Sequence, residues 1–146
     1  MDGVVYGGPG QATFDMIDLD HVEVLRGPQG TLFGKNTTAG AINIASRLPS
    51  FTPEFEGEVS VGDHGYYQVR ASASAPLVDD RVAFRLTGSR TSRDGFMTNV
   101  RSGRDLQDYD NTSVRGQLLI KPADDVTIRI IGDYSSQRLH CCANVL

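Results

Sequence analysis

From Phe55 onward the chain alternates apolar and polar residues with the period of a β-strand. Phe55, Val59 and Val61 fall on one face, and Glu56, Glu58 and Ser60 on the other. The Gly62–Gly65 turn separates this run from a second one, Tyr67 to Ala75, so the two predict an antiparallel hairpin. Pro76 and the pair Asp79–Asp80 predict the end of that strand, because proline donates no ladder bond and aspartate favours turns. A third strand is predicted over Val82–Ser89, a long polar loop over Arg93–Asn111, a fourth strand over Val114–Lys121, and a fifth over Val126–Ser135. Val82–Gly88 and Val126–Gly132 match position by position, and a proline and an Asp-Asp pair precede each. Two strands of the same direction follow from this echo, with short turns at one end of the sheet and longer loops at the other.

The polar faces carry Arg70, Arg85, Arg115 and Arg129. Two environments accept such strands: a soluble sandwich with its polar face in water, or an outer-membrane barrel, apolar toward lipid and polar toward the lumen. Strand lengths of about 9–11 residues suit the barrel. Tyr66, Tyr67, Tyr109 and Tyr134 all fall toward the long-loop end, where an interfacial girdle would lie.

Composition changes this picture by exclusion. With 146 residues the chain is of single-domain size, and 39% hydrophobic with 22% charged residues is too apolar for a disordered tail. A net charge of −4 argues against a nucleic-acid partner. No apolar run approaches the roughly 20 residues of a spanning helix, and the first residues carry no basic-then-apolar secretory leader. Cys141 and Cys142 are adjacent; beside His140 they lack the further ligands zinc requires, so a loop disulfide or free thiols are expected, and no metal or cofactor. His21, His64 and His140 lie in no nucleophile motif, so the chain is not expected to be an enzyme.

Before Pro53 the grammar differs, with glycine-rich turns between short apolar pieces. Val22–Leu25 and Ala41–Ile44 predict short strands around the Gly27-Pro28-Gln29-Gly30 turn. Gly34-Lys35 invites a phosphate-loop reading, but Gln29 and Asn36 stand where that motif needs a glycine and a hydroxyl. The run Val22–Gly34, read with Gly40–Ile44, closely resembles the plug of TonB-dependent outer-membrane receptors, whose pattern is (I/V)EVLRGPQGTLFG followed by GAINI. Asp2-Gly3-Val4 is similar to that family's DGV strand, and Asp15–Asp20 to its acidic segment. The strands after Arg47-Leu48-Pro49 look like its first barrel strands.

The resemblance implies a mainly β chain in two parts. Residues 1–50 would be the later part of the plug, and 51–146 about five antiparallel strands of an incomplete transmembrane barrel that in the family has about 22 strands. It implies a Gram-negative outer-membrane location, lipid as a partner, and active uptake of a scarce solute: a siderophore, cobalamin or an oligosaccharide. It also implies a TonB complex as energising partner, although neither TonB box nor signal peptide is read here, so a fragment is expected. A soluble β-sandwich for binding or adhesion is the competing expectation. Glu23 and Arg26 are expected at charged plug contacts, with Asn43 in the same motif, and Gly27, Pro28, Gly30, Gly34 and Gly40 as shape-setting residues. Arg93, Asp94, Phe96, Arg101, Arg104 and Tyr109 lie in a loop that the resemblance puts at the cell exterior, where two readings stand: contact with ligand, or the solvated surface that a mixed charge run more often forms.

Overall fold

The computed structural model describes residues 1–4, 17–28, 30, 39–98 and 105–139. The regular elements defined among them are nine strands. The chain divides into two compact units, Met1–Leu48 and Pro49–Leu146.

The first unit holds one antiparallel hairpin, β1 (Leu19–Arg26) with β2 (Gly40–Ser46). Glu23 lies opposite Asn43 and Val24 opposite Ile42, so one side of the hairpin is partly polar and the other carries Val22, Val24 and Ile42, all exposed. Asp2 and Gly3 form a turn with positive φ rather than the strand the resemblance implied. The turn is closed by the Val4 amide donating to the Met1 carbonyl. The physical reason lies in the Asp2 side chain: it accepts from the Ser46 amide at 2.9 Å and from the Ser46 hydroxyl, tying the turn to the end of β2.

The second unit is a five-stranded antiparallel sheet in the order β3-β4-β5-β8-β9. Its strands are β3 (Glu54–Val61), β4 (Tyr67–Val78), β5 (Val82–Arg93), β8 (Tyr109–Ala123) and β9 (Val126–Leu139). A minor ladder, β6 (Met97–Thr98) with β7 (Asp105–Leu106), lies between β5 and β8 in sequence. The five expected strands are present, and β5 and β9 run in the same direction because each is antiparallel to β8.

Three boundaries at the long-loop end of the sheet depart from the sequence expectation. β5 runs on to Arg93, β8 starts at Tyr109 instead of Val114, and β9 extends to Leu139 instead of Ser135. Apart from the terminal Tyr109 and Leu139 these extensions are polar on both faces, so alternation gives no sign of them; backbone pairing such as Thr91 opposite Asn111 carries the ladder through. Pro76 does not end β4, nor Pro122 β8. Both sit at register irregularities, where a missing N–H removes no regular ladder bond. The turn comes after Val78, with Asp80 at φ 55° and the Arg81 amide donating to the Val78 carbonyl.

The faces of this sheet are inverted relative to a soluble protein. Along β5 and β8 the odd-numbered residues Ala83, Arg85, Thr87, Ser89, Thr91, Asn111, Ser113, Arg115, Gln117 and Leu119 are buried, most of them polar. On the opposite face, Phe55 is 78% exposed, Val59 71%, Ile130 55% and Leu86 52%. A soluble sandwich requires the reverse, since exposing each such side chain to water forfeits about 1.5–3 kcal/mol. Lipid removes that penalty, so the arrangement is that of a barrel wall and not of a sandwich.

Candidate functional site

The sequence-predicted residues fall at three places. In the hairpin of the first unit, Asn43 Nδ2 donates to Glu23 Oε2 at 2.9 Å, so Glu23 is engaged within the hairpin itself. Arg26 ends β1 opposite Gly40, exposed, beside the Gly27-Pro28 turn. Gly27 has φ 87°, and Gly40 has φ 154° with the space of a Cβ only 2.7 Å from the Leu25 carbonyl oxygen. Glycine at 40 is therefore set by close backbone approach. Gly30 is exposed, with open space where a Cβ would point, while Gly34 lies outside the described residues. Next to Glu23, His21 Nδ1 bonds Asp20 Oδ2 at 2.7 Å. That hydrogen bond, opposed by desolvation and reinforced by the charges of Asp20 and Glu23, raises the His21 pKa above its ordinary 6.5.

The second place is the buried polar face of the sheet. Arg85 reaches Glu54 at 3.6 Å and the Ser72 hydroxyl at 3.3 Å. Arg70 lies 3.6 Å from Glu58, Arg115 pairs with Asp133, and Arg129 donates to Gln117 Oε1 at 2.7 Å. The four arginines picked out from alternation thus lie on one face, as expected. Their partners Glu54, Gln117 and Asp133 were not singled out from sequence. Register was the missing signal, since Arg115 stands directly opposite Asp133. Buried N–H groups of Arg70, Arg93 and Gln117 have no hydrogen-bond acceptor among the described residues. Such donors suit water or a polar partner against this face, since leaving each unsatisfied costs about 1–3 kcal/mol.

The third place is the long-loop end of the sheet. The β3–β4 turn, with His64 at φ 57° and Gly65 at φ 63°, meets the residues that follow β5. The Asp94 amide donates to the His64 carbonyl at 2.9 Å, and a Cβ on Gly65 would collide with the Asp94 carboxylate. The Arg93 guanidinium stands 5.2 Å from the Phe96 ring centre, and the His64 and Phe96 rings are 6.1 Å apart. Arg93 also donates to the Gln107 carbonyl, and Tyr109 lies opposite Arg93 in the ladder. Arg93, Asp94, Phe96 and Tyr109 are thereby gathered at one end of the sheet with His64 and Gln107, which carry no binding signal in the sequence. Only contacts distant in sequence reveal these two, His64 with Asp94 across thirty residues and Gln107 with Arg93 across fourteen. Phe96 is half-exposed, which offers an apolar and cationic surface to a partner. Arg101, Arg104, Cys141 and Cys142 lie outside the described residues. Among the described residues no group of three metal-ligating side chains converges.

No protein-family model matches the chain. Curated proteins do. The pesticin receptor of Yersinia pestis is 38% identical over 90 residues, covering 62% of this chain and 13% of the receptor. The ferrichrome outer membrane transporter/phage receptor of Escherichia coli is 35% identical over 78 residues, covering 53% of this chain and 10% of the transporter. Among solved structures, the ferric yersiniabactin uptake receptor of Yersinia pestis superposes with a TM-score of 0.78 at 31% identity, over 84% of this chain and 20% of that one. The pyoverdine outer membrane receptor of Pseudomonas aeruginosa shares the fold, with a TM-score of 0.73 over 85% of this chain and 17% of that one. The chain therefore spans between a tenth and a fifth of the length of the proteins it matches. These relatives are receptors and transporters rather than enzymes, and the names of the Escherichia coli and Pseudomonas aeruginosa proteins place those two in the outer membrane. In sequence and in fold, the chain resembles a segment of a TonB-dependent outer-membrane receptor.

Proposed function

We propose that this chain supplies part of the plug, within residues 1–50, and the first barrel strands, within 51–146, of a TonB-dependent receptor that imports a ferric siderophore. The observation that carries the reading is the inverted sheet: buried Arg85, Thr87, Arg115 and Gln117 back to back with exposed Phe55, Val59, Leu86 and Ile130. A wall with that polarity separates lipid from a wet lumen. The siderophore class, in preference to cobalamin or an oligosaccharide, is favoured by what the relatives are named for, including ferrichrome, ferrioxamine and ferric pyoverdine.

In this reading the short turns at Asp79–Asp80 and Asp124–Asp125 face the periplasm, and the His64, Arg93, Asp94, Phe96 and Tyr109 end faces the exterior. A cation stacked on an exposed aromatic ring suits the first contact with an anionic, ring-bearing chelate. Glu23 and Arg26 supply charged contacts of the plug hairpin, with Asn43 fixing Glu23. Gly27, Pro28, Gly30 and Gly40 set its shape. Energy would come from a TonB complex acting on the whole receptor.

A chimera tests this. The matching segment of the Yersinia pestis ferric yersiniabactin receptor is replaced by this chain, and iron uptake is followed in cells lacking the native receptor. TonB-dependent uptake of a labelled ferric siderophore is expected. A chimera that inserts in the outer membrane but leaves iron uptake at background with every siderophore offered would overturn the proposal.

A further inference from the structure

Two cavities lie on the outward face of β5, β8 and β9, away from the polar interior. One, of about 210 Å³, is lined by Arg90, Asp110, Thr112, Ser136 and Arg138. The other, of about 350 Å³, is apolar and is lined in part by Phe84, Leu86, Gly116, Leu118, Ile130 and Gly132. Apart from Arg85 and Gln117, which also line the larger one, the lining residues are even-numbered and in register, so they share the face that carries the exposed apolar side chains. The apolar groove exists because Gly116 stands opposite Gly132, and Leu86 opposite Gly116. At both glycines a Cβ would meet nothing within 4 Å. Two missing side chains thus leave a notch in an otherwise bulky band.

The polar cleft lies on the long-loop side of the notch. Gly116 lies four positions after Thr112 on β8, and Ser136 four after Gly132 on β9, which is about 14 Å along an extended strand. Between them Val114 faces Tyr134, whose side chain is exposed at the level of an interfacial aromatic. The cleft holds two arginines and one carboxylate. Arg90 lies 3.6 Å from Asp110, while Asp110 is directly opposite Arg138 in the ladder, so the cleft carries an excess positive charge of one. Two guanidinium groups flanked by the Thr112 and Ser136 hydroxyls match a phosphate.

We propose that this strip of β5–β8–β9 is a binding site for one acyl lipid of the outer leaflet with a net anionic phosphate headgroup, the headgroup between Arg90 and Arg138 and an acyl chain over the Gly116–Gly132 notch. The inference rests on the reading above that this face meets lipid with the long loops outward. A free phosphate would use the cleft alone; the aligned apolar groove selects an amphiphile.

The chain is folded in non-ionic detergent, and native mass spectrometry counts retained lipid as phosphatidic acid, phosphatidylcholine or soluble glycerol phosphate is added. One phosphatidic acid per chain is expected, held in preference to phosphatidylcholine and not displaced by glycerol phosphate. The double variant Arg90→Gln with Arg138→Gln should weaken phosphatidic acid by about thirtyfold. Gly116→Leu with Gly132→Leu should weaken both lipids by filling the notch. Because the glycine variant could misfold, the exposed arginine pair carries the test independently, with circular dichroism reporting strand content for each. Equal retention of both lipids by the unsubstituted chain, indifference to the arginine substitutions, or full displacement by glycerol phosphate would each overturn the site. A chain that folds in water and takes up neither detergent nor lipid would overturn the membrane-wall reading itself, which separates the two failures.

Discussion

Leu86 and Thr87 are neighbours on β5, yet Leu86 is half-exposed and Thr87 is buried. The same contrast recurs on β8 between Val114 and Arg115, and it sets the two faces of the sheet against each other. On the inner face stability comes from polar pairing: Arg115 on Asp133, Arg129 on Gln117, Arg85 on Glu54. On the outer face almost nothing among the described residues covers the apolar side chains, so their stabilisation has to come from the surroundings. The fold is thus specified by its solvent on one side and by its own side chains on the other.

The sharpest way to break that contrast is to put a charge on the outer face. Leu86→Arg, in the middle of the apolar band, should destabilise the sheet in phosphatidylcholine vesicles by about 2–4 kcal/mol, and Thr112→Arg, near its rim, by about 0–1 kcal/mol. Denaturant titrations in those vesicles measure both, and equal losses at the two depths would remove lipid from the account.

The hairpin of the first unit gives a contrast of another kind, since its glycines are held by backbone geometry rather than by environment. Gly40→Ala should cost about 1–3 kcal/mol, because the new methyl meets the Leu25 carbonyl and φ is 154°. Gly27→Ala has open space and should cost less, through φ alone. Thermal melts of the two variants rank them.

On the inner face, Asp133→Asn leaves the buried Arg115 without its carboxylate, and about 1–2 kcal/mol should be lost. Asp110→Asn, which removes the charge facing an exposed arginine on the outer face, should shift stability by less than about 0.5 kcal/mol. A double-mutant cycle with each arginine isolates the pair energies.

The smallest effect concerns pH. His21 has a raised pKa, so its contribution to stability is fully present below the unfolded value near 6.5 and is lost as pH rises through the folded value. Asp20→Asn should bring the His21 titration back toward 6.5, as read by imidazole proton shifts in NMR.

Much of the contrast between the two faces is legible in the amino-acid sequence. Alternation at Phe55–Val61 and Val82–Ser89 assigns side chains to faces correctly, because a half-buried strand needs only its period of two to be recognised. It fails at Arg90–Arg93 and Tyr109–Ser113, where both faces are polar and only ladder bonds define the strand. Proline misleads at Pro76 and Pro122, since a sheet absorbs it at a bulge. The candidate site is legible in part. Arg93, Asp94, Phe96 and Tyr109 are recognisable by their binding chemistry, although Arg93 and Tyr109 belong to strand ends and not to a loop, and their meeting with His64 depends on a turn packing against the end of a strand two elements later. The outward cleft and notch required register as well, because Gly116 and Gly132 become neighbours only once β8 and β9 are aligned.

Spin-label scanning along β5 and β8 tests the two-faced sheet most directly. In a background of Cys141→Ser with Cys142→Ser, single cysteines at positions 82 to 87 and 114 to 119 carry a nitroxide in bilayers, and collision with oxygen is compared with collision with a polar nickel chelate. Oxygen access should peak at Phe84, Leu86, Gly116 and Leu118, with the alternate positions Arg85, Thr87, Arg115 and Gln117 shielded from it. Access that lacks a period of two, or that peaks at Arg85 and Thr87 instead, would contradict a wall with lipid on its apolar face.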